Sequence, residues 1–167
     1  MSADTRPIDA ETRATSDDHH ALRLWLRLYA CTSLVESRVR RRLQTRFGTT
    51  LPRFDLMAQL YRAPKAMTLG ELSQRMMVSN GNVTGLVDRL LEQGLISRRP
   101  SPKDRRAQLV SLTAEGRRFF RAMARANGDW IADMLVDLSG DEIETLMRLL
   151  AKTKASARKA IGNGMPQ

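Results

Sequence analysis

Cysteine and histidine are scarce in this sequence, which has one cysteine and two histidines among 167 residues. A single thiol cannot form an internal disulfide, and it excludes every metal site built from several cysteines. The two histidines, His19 and His20, directly follow Asp17 and Asp18. One zinc site is therefore conceivable, formed by both histidines with Asp17 or Asp18. The chain also lacks a glycine-rich phosphate loop and any cysteine–histidine or paired-carboxylate spacing that recommends catalysis. We therefore expect neither an enzyme nor a bound cofactor.

Long hydrophobic runs and aromatic residues are lacking as well. No apolar segment reaches the roughly 20 residues that a membrane-spanning helix needs, and the N-terminus does not have the basic-then-apolar order of a signal peptide. Aromatic residues make up 5% of the chain, while leucine, alanine, methionine and arginine dominate, which favours helix. This composition and length predict a cytoplasmic protein with one mainly helical domain and no membrane partner.

Acidic residues are in deficit, because 18 of them stand against 28 lysines and arginines and leave a formal net charge of +10. Such a surface attracts polyanions, so DNA, RNA and anionic membranes are the candidate partners. Residues 1–18 mix Asp, Thr, Ser and Pro without periodicity, and we expect them to form a mobile arm. We assign residues 19–162 to a single domain and residues 163–167 to a tail.

Apolar residues recur every three or four positions from Leu24 to Phe47, which predicts one long helix. Cys31 lies on this stripe, and we expect it to be a small core residue rather than a redox sensor. The first half of the helix carries a second apolar face around Trp25 and Tyr29. A helix that is apolar on two sides needs two partners, and a second subunit could be one of them.

Three shorter helices are predicted next. Pro52 opens the first, a capping box from Thr68 to Glu71 opens the second, and Ser79 caps a third that Gly94 ends. The third helix has an apolar side for docking and a short-polar side, as a recognition helix in the major groove requires. Its two interior glycines each cost about 0.5–1 kcal/mol relative to alanine, and close approach to a partner would explain that cost. An ordinary amphipathic helix is the alternative.

A β-hairpin with a strongly basic tip should follow, with strands at residues 95–99 and 107–112 around a loop rich in turn formers. Five basic residues and Asp104 lie between Arg98 and Arg106. A charge run is often only a solvated face, but beside a recognition helix it can follow phosphates or place an arginine in the minor groove. Asp104 would hold a neighbouring guanidinium in position through charge-assisted hydrogen bonds.

Two further helices are predicted, one after Thr113 and one after a capping box from Ser139 to Glu142. The fold class is therefore mainly α with a small β-hairpin wing. This order of elements is typical of a winged helix-turn-helix, which we place at about residues 51–113.

Two sets of segments carry a family resemblance, residues 104–106, 109–113 and Gly116 in the first and residues 68–72 and 85–96 in the second. The first set is similar to the wing tip, return strand and helix cap of the MarR family of ligand-responsive bacterial transcriptional regulators. The second set resembles the helix-turn-helix of the same family. Several matches in the right order are much more specific than any single one.

The resemblance covers about residues 20–160 and implies a homodimer. Terminal helices at about residues 19–47 and 114–161 would pack between the subunits, and the two winged domains would straddle a pseudo-palindromic operator in double-stranded DNA. By position, the helix from Ser79 would enter the major groove and Arg106 would be directed at the minor groove.

The predicted DNA contacts combine the polar face of the recognition helix with the basic wing. Asparagine, serine and threonine can contact base edges, and arginine can reach a base or a phosphate. The predicted residues are Thr68, Ser79, Asn80, Gly81, Asn82, Thr84, Arg89, Arg98, Lys103, Arg105 and Arg106, with Asp104 structural.

The resemblance further implies a small anionic, often aromatic effector that binds beside the dimerisation helices and lowers DNA affinity. Arginines cluster on the first and fifth helices, where they either form a solvated basic surface or neutralise a carboxylate or phosphates beside an apolar pocket. The predicted ligand-binding residues are Trp25, Tyr29, Arg38, Arg42, Arg46, Arg53, Met57, Met123 and Trp130.

Residues 49–60 and 77–85 resemble a subgroup tied to aromatic-acid catabolism, which includes regulators that answer to hydroxycinnamoyl-CoA thioesters. The expected effector is an aryl-CoA thioester such as p-coumaroyl-CoA, or an aromatic carboxylate, which would release a repressor from its operator. An effector-independent architectural DNA-binding protein and a membrane-surface protein are the alternatives. A regulator should discriminate its operator from bulk DNA by roughly 4 kcal/mol or more, whereas an architectural protein should not.

Overall fold

The computed structural model describes residues 20–102 and 107–163. The predicted arm, most of the tail, and three members of the conceivable zinc site (Asp17, Asp18 and His19) lie outside the described residues. Contacts group the chain into two compact units, one ending at Gly128 and the other beginning at Asp129. The assignment of residues 19–162 to a single domain therefore stays a prediction.

Six helices and three short strands make up the described part of the chain, which confirms the predicted fold class. The elements are α1 (His20–Phe47), α2 (Leu51–Arg62), β1 (Met67–Thr68), α3 (Leu69–Met76), α4 (Asn80–Glu92), β2 (Ile96–Pro100), β3 (Gln108–Leu112), α5 (Ala114–Met134) and α6 (Gly140–Asn163).

The three strands form one antiparallel sheet in the order β1-β3-β2. Ile96 pairs with Leu112 and Pro100 with Gln108, which confirms the predicted hairpin. Met67 and Thr68 pair with the other side of β3. The sequence does not predict this third strand, because two residues are too few to show an alternating pattern.

The core of the winged region lies between α2, α3, α4 and β3. The fully buried side chains there include Leu56 of α2, Leu72 of α3, Val83 and Val87 of α4 and Val110 of β3. Burying a side chain of this size contributes about 1.5–3 kcal/mol relative to leaving it in water. The apolar side of α4 is thereby fixed on the domain, and its polar side faces outward.

The long helix α1 is buried only near its C-terminal end, at Val39 and Leu43. Cys31 is exposed, so the expectation that it belongs to the core is wrong for the single chain. Trp25 and Tyr29 are 58% and 63% exposed. The predicted second apolar face around Trp25 and Tyr29 is therefore open to solvent in the described chain.

Helix α6 also presents apolar side chains to solvent. Leu146, Met147, Leu149 and Leu150 are between 39% and 58% exposed. Within the described residues, no helix combines the length and apolarity needed to cross a bilayer.

Candidate nucleic-acid interface

The outward face of α4 begins at a capped N-terminus. The Ser79 hydroxyl accepts a hydrogen bond from the backbone N–H of Asn82 at 3.4 Å, as predicted. The side chains of Asn80 and Asn82 are exposed in this first turn. The Thr84 hydroxyl donates to the Asn80 carbonyl oxygen at 3.0 Å, so its proton is already used within the helix.

Gly81 and Gly85 lie on the same face and border open space. A Cβ atom built on either glycine would meet no other atom within 4 Å. Together with Asn82, Leu86 and Arg89 they line a shallow depression of about 240 Å³. Packing inside this chain therefore does not account for glycine at these positions, whereas a partner that approaches the backbone closely would.

The turn between α3 and α4 is short and lies at residues 77–79. Met77 adopts a left-handed conformation with φ 55° and is 92% exposed. The Ser73 hydroxyl donates to the Val78 carbonyl oxygen at 2.6 Å, and the Val78 N–H donates to the Ser73 carbonyl oxygen at 3.2 Å. These two bonds close the turn of the helix-turn-helix.

Thr68 begins α3 through the predicted capping box. The Glu71 N–H donates to the Thr68 hydroxyl at 3.2 Å, and the Thr68 N–H donates to the Glu71 carboxylate at 2.7 Å. The backbone and side-chain hydrogen bonds from Thr68 hold the pKa of Glu71 below its usual range. Because the Thr68 hydroxyl also contacts Glu71 at 3.1 Å, its main role in this structure is capping, and its predicted contact with DNA stays a prediction.

A second set of bonds joins the end of α4 to the sheet and to α5. Gly94 takes a positive φ of 67° after α4. The Thr113 hydroxyl donates to the Gly94 carbonyl oxygen at 2.8 Å and accepts from the Gly116 N–H at 3.0 Å. The Thr113 N–H donates to the Leu95 carbonyl oxygen at 3.1 Å. Helix α4 therefore ends, and β2 and α5 begin, at one hydrogen-bonded junction.

On the wing, Arg98 is held by an acidic residue of α4. Its Nη2 atom donates to Oδ1 of Asp88 at 2.7 Å, and the two side chains are 30% and 49% exposed. The sequence predicts a DNA contact for Arg98 and does not reveal its bond to Asp88, because ten residues separate the two and only the folded hairpin brings them together. Arg89 and Arg99 are exposed nearby.

The predicted wing tip lies outside the described residues. It comprises Lys103, Asp104, Arg105 and Arg106. The described strands are closed just before it, where the Ser101 N–H donates to the Ala107 carbonyl oxygen at 2.8 Å. The roles predicted for the four tip residues stay predictions.

The predicted effector residues have very different surroundings. Met57 and Met123 are fully buried and Trp130 is buried. Trp25 and Tyr29 stack at 5.8 Å on the exposed half of α1. Arg38 and Arg46 are exposed, whereas Arg42 and Arg53 are half-buried. No described contact brings all nine together, and their role as a ligand site stays a prediction.

Two larger cavities have linings that do not include those residues. A cavity of about 360 Å³ at the root of the wing is lined in part by Lys65, Thr68 and Arg99. Another, of about 340 Å³, lies between α2 and the end of α3 and includes Asp55 and Arg62. Partial burial raises the pKa of Asp55, the Glu36 carboxylate raises it further, and Arg62 lowers it.

Comparison with known proteins gives consistent matches. Residues 49–107 match the model of the MarR family. The transcriptional activatory protein BadR of Rhodopseudomonas palustris is 30% identical over 135 residues, which are 79% of this chain and 77% of BadR. The multiple antibiotic resistance protein MarR of Salmonella typhimurium is 34% identical over 104 residues, or 62% of this chain and 72% of that protein.

A solved structure gives the same result for the fold. The crystal structure of wild-type MarR from E. coli matches with a TM-score of 0.70 and 27% identity. The match covers 78% of this chain and 95% of that chain.

Proposed function

This chain belongs to the MarR family of DNA-binding transcriptional regulators, and from that premise we propose that α4 contacts base edges of an operator in the major groove. The wing formed by β2, β3 and the loop between them follows the neighbouring minor groove. Proteins related to this chain are regulators rather than enzymes, in agreement with the absence of catalytic motifs.

The exposed polar face of α4 carries this proposal. Gly81 and Gly85 open the helix backbone to a partner, and Asn80 and Asn82 stand exposed beside them. Asparagine can bond an adenine edge with two hydrogen bonds. The net charge of +10 supplies the attraction to phosphates.

Two copies of the chain act together in the proposed complex. The exposed apolar residues of α1 and α6 would be buried against a second copy. A two-fold dimer presents its recognition helices to half-sites about one turn of DNA apart, which is why a pseudo-palindromic operator is expected.

The direct test is binding to the DNA that flanks this protein's own gene, with a footprint to locate the site. We expect wild-type protein to prefer the operator over scrambled DNA by about 10³-fold or more. Asn82→Ala should relax that preference by about 1–3 kcal/mol at one position of each half-site. Gln93→Ala removes an amide from the other end of α4 and serves as the matched control. Equal affinity of the wild type for both DNAs would favour the architectural alternative.

The proposed effector is a small aromatic anion such as p-coumaroyl-CoA or an aromatic carboxylate. The support is chemical: Arg38, Arg42 and Arg46 follow the stacked pair Trp25 and Tyr29 along α1. Arginine neutralises carboxylate and phosphate, and exposed aromatic rings offer an apolar contact. The complete pocket would need both subunits, because the ring pair is open to solvent in one chain.

Calorimetry with p-coumaroyl-CoA, p-coumarate and benzoate tests this effector, with acetyl-CoA as a control for the CoA moiety alone. We expect heat from at least one aromatic ligand and weaker operator binding in its presence. Absence of heat from all three, with DNA binding intact, rejects the effector class. Release from the operator makes repression the proposed outcome, and because BadR is named an activatory protein, a reporter gene behind the operator decides the sign.

A further inference from the structure

The contact between Asp88 and Arg98 joins the two elements that the proposed function brings to DNA. Asp88 lies in the third turn of α4, one residue before Arg89, and Arg98 is the middle residue of β2. Ile96 and Arg98 share one face of β2, since side chains alternate along a strand. Ile96 is 3% exposed and packs in the core. Arg98 lies further along the same face of β2 and contacts α4 at Asp88, nearer the protein surface.

An acidic side chain on this face works against DNA affinity. A carboxylate repels phosphates, and at a base edge in the major groove it can only accept hydrogen bonds, from cytosine N4 or adenine N6. Its pairing with Arg98 at 2.7 Å compensates its charge within the protein. A guanidinium paired in this way adds less to the net attraction for phosphates than an unpaired arginine does.

We propose that Asp88 is a positioning residue for DNA recognition: through Arg98 it holds the wing at a fixed angle to α4, so that both reach the operator together. The pair thus contributes to specificity, while Arg98 does not act as a phosphate contact. This inference rests on the proposed function and replaces the sequence-based assignment of Arg98 to DNA.

The salt dependence of binding separates positioning from direct contact. The logarithm of the association constant falls with the logarithm of salt concentration by a slope of about 0.9 for each phosphate neutralised. The double variant Asp88→Asn, Arg98→Ala removes both charges of the pair and should leave the slope of binding to scrambled DNA unchanged. Arg89→Ala, on the same helix as Asp88 and proposed to contact DNA, should lower this slope by about one such increment.

The specificity ratio gives a second readout. Asp88→Asn should weaken operator binding by about two- to fivefold, because the wing is no longer held. It should tighten binding to scrambled DNA and steepen its salt slope, because an acid is lost and Arg98 is released. The double variant Asp88→Asn, Arg98→Ala should bind the operator no more weakly than the weaker single variant, as two members of one contact do.

Circular dichroism and thermal unfolding would verify that each variant is folded, since exposed ion pairs contribute little to stability. The inference is overturned if Asp88→Asn binds the operator as wild type does, or if the double variant lowers the salt slope on scrambled DNA as Arg89→Ala does. A wild-type protein without operator preference would overturn the proposed function instead.

Discussion

Gly116 lies in the first turn of α5, where the helix touches the start of the wing. A Cβ atom at this position would stand 1.8 Å from the Leu95 carbonyl oxygen and 2.8 Å from its carbonyl carbon. That oxygen accepts the Thr113 N–H, so the backbone cannot move away without loss of a hydrogen bond. We predict that Gly116→Ala lowers the free energy of unfolding by at least about 2 kcal/mol, measured by urea denaturation at one protein concentration.

Gly128 on the same helix is the matched control. A Cβ atom there meets nothing within 4 Å, so Gly128→Ala should gain about 0.5–1 kcal/mol from helix propensity. If both alanine variants gained stability, the close approach of Gly116 to Leu95 would not describe the folded protein.

Met77 is the opposite case, because its backbone conformation is one that glycine adopts more easily than other residues do. Its φ of 55° is strained for any residue with a Cβ atom, and its side chain, 92% exposed, has little packing to lose. Met77→Gly should therefore raise the free energy of unfolding by about 0.5–1 kcal/mol in thermal or urea unfolding. Met77→Ala keeps the Cβ atom and should not share the gain; an equal gain would assign the effect to the methionine side chain.

At the residue scale, the sequence predicted local chemistry better than tertiary contacts. The caps at Thr68, Ser79 and Thr113 depend on residues three positions away, so their spacing is visible in the chain. The bond between Asp88 and Arg98 depends on how the hairpin crosses α4, which no local pattern contains. The exposure of Cys31 likewise depends on what covers α1, and the apolar stripe alone does not say.

At the element scale, α4 buries its apolar side in the core and leaves its polar side open to solvent. Gly85→Ala should stabilise the fold by about 0.5–1 kcal/mol, since the new methyl group enters empty space. The same methyl group should weaken operator binding, at least fivefold, because it occupies the space proposed for DNA. Unfolding and fluorescence anisotropy on the same samples would measure both effects.

A gain in stability together with a loss of operator affinity would distinguish an effect on DNA binding from an effect on folding. Gly128→Ala on α5 should also gain stability, but its operator affinity should equal that of wild type. Operator binding by Gly85→Ala that matches wild type would mean that the outer face of α4 does not approach DNA closely.

Elements with a clear periodicity of apolar residues were predictable from the sequence, and elements without one were not. The helices and the β2–β3 hairpin followed from spacing, caps and turn residues. Strand β1 did not, because Met67 and Thr68 are two residues that pair only across the sheet with Val110 and Leu109. The wing tip at residues 103–106 remains known from the sequence alone.

At the scale of the whole molecule, the exposed apolar residues of α1 and α6 predict a dimer. Leu146 is 44% exposed and lines an apolar depression of about 400 Å³ together with Leu138 and Leu149. A glutamate there would carry a charge into the proposed interface, where burying it without a partner is costly. We expect Leu146→Glu to shift the protein from dimer to monomer in size-exclusion chromatography with light scattering.

Operator binding should fall with the dimer, because one subunit holds only one half-site and loses the contacts of the second. We expect Leu146→Glu to bind a full operator at least tenfold more weakly and to approach its affinity for a single half-site. Ala155→Glu adds the same charge nine residues along α6, two and a half turns away and therefore on the opposite side. It should stay dimeric and bind normally. Should Leu146→Glu remain a dimer with wild-type affinity, the subunits must meet elsewhere than on the apolar face of α6.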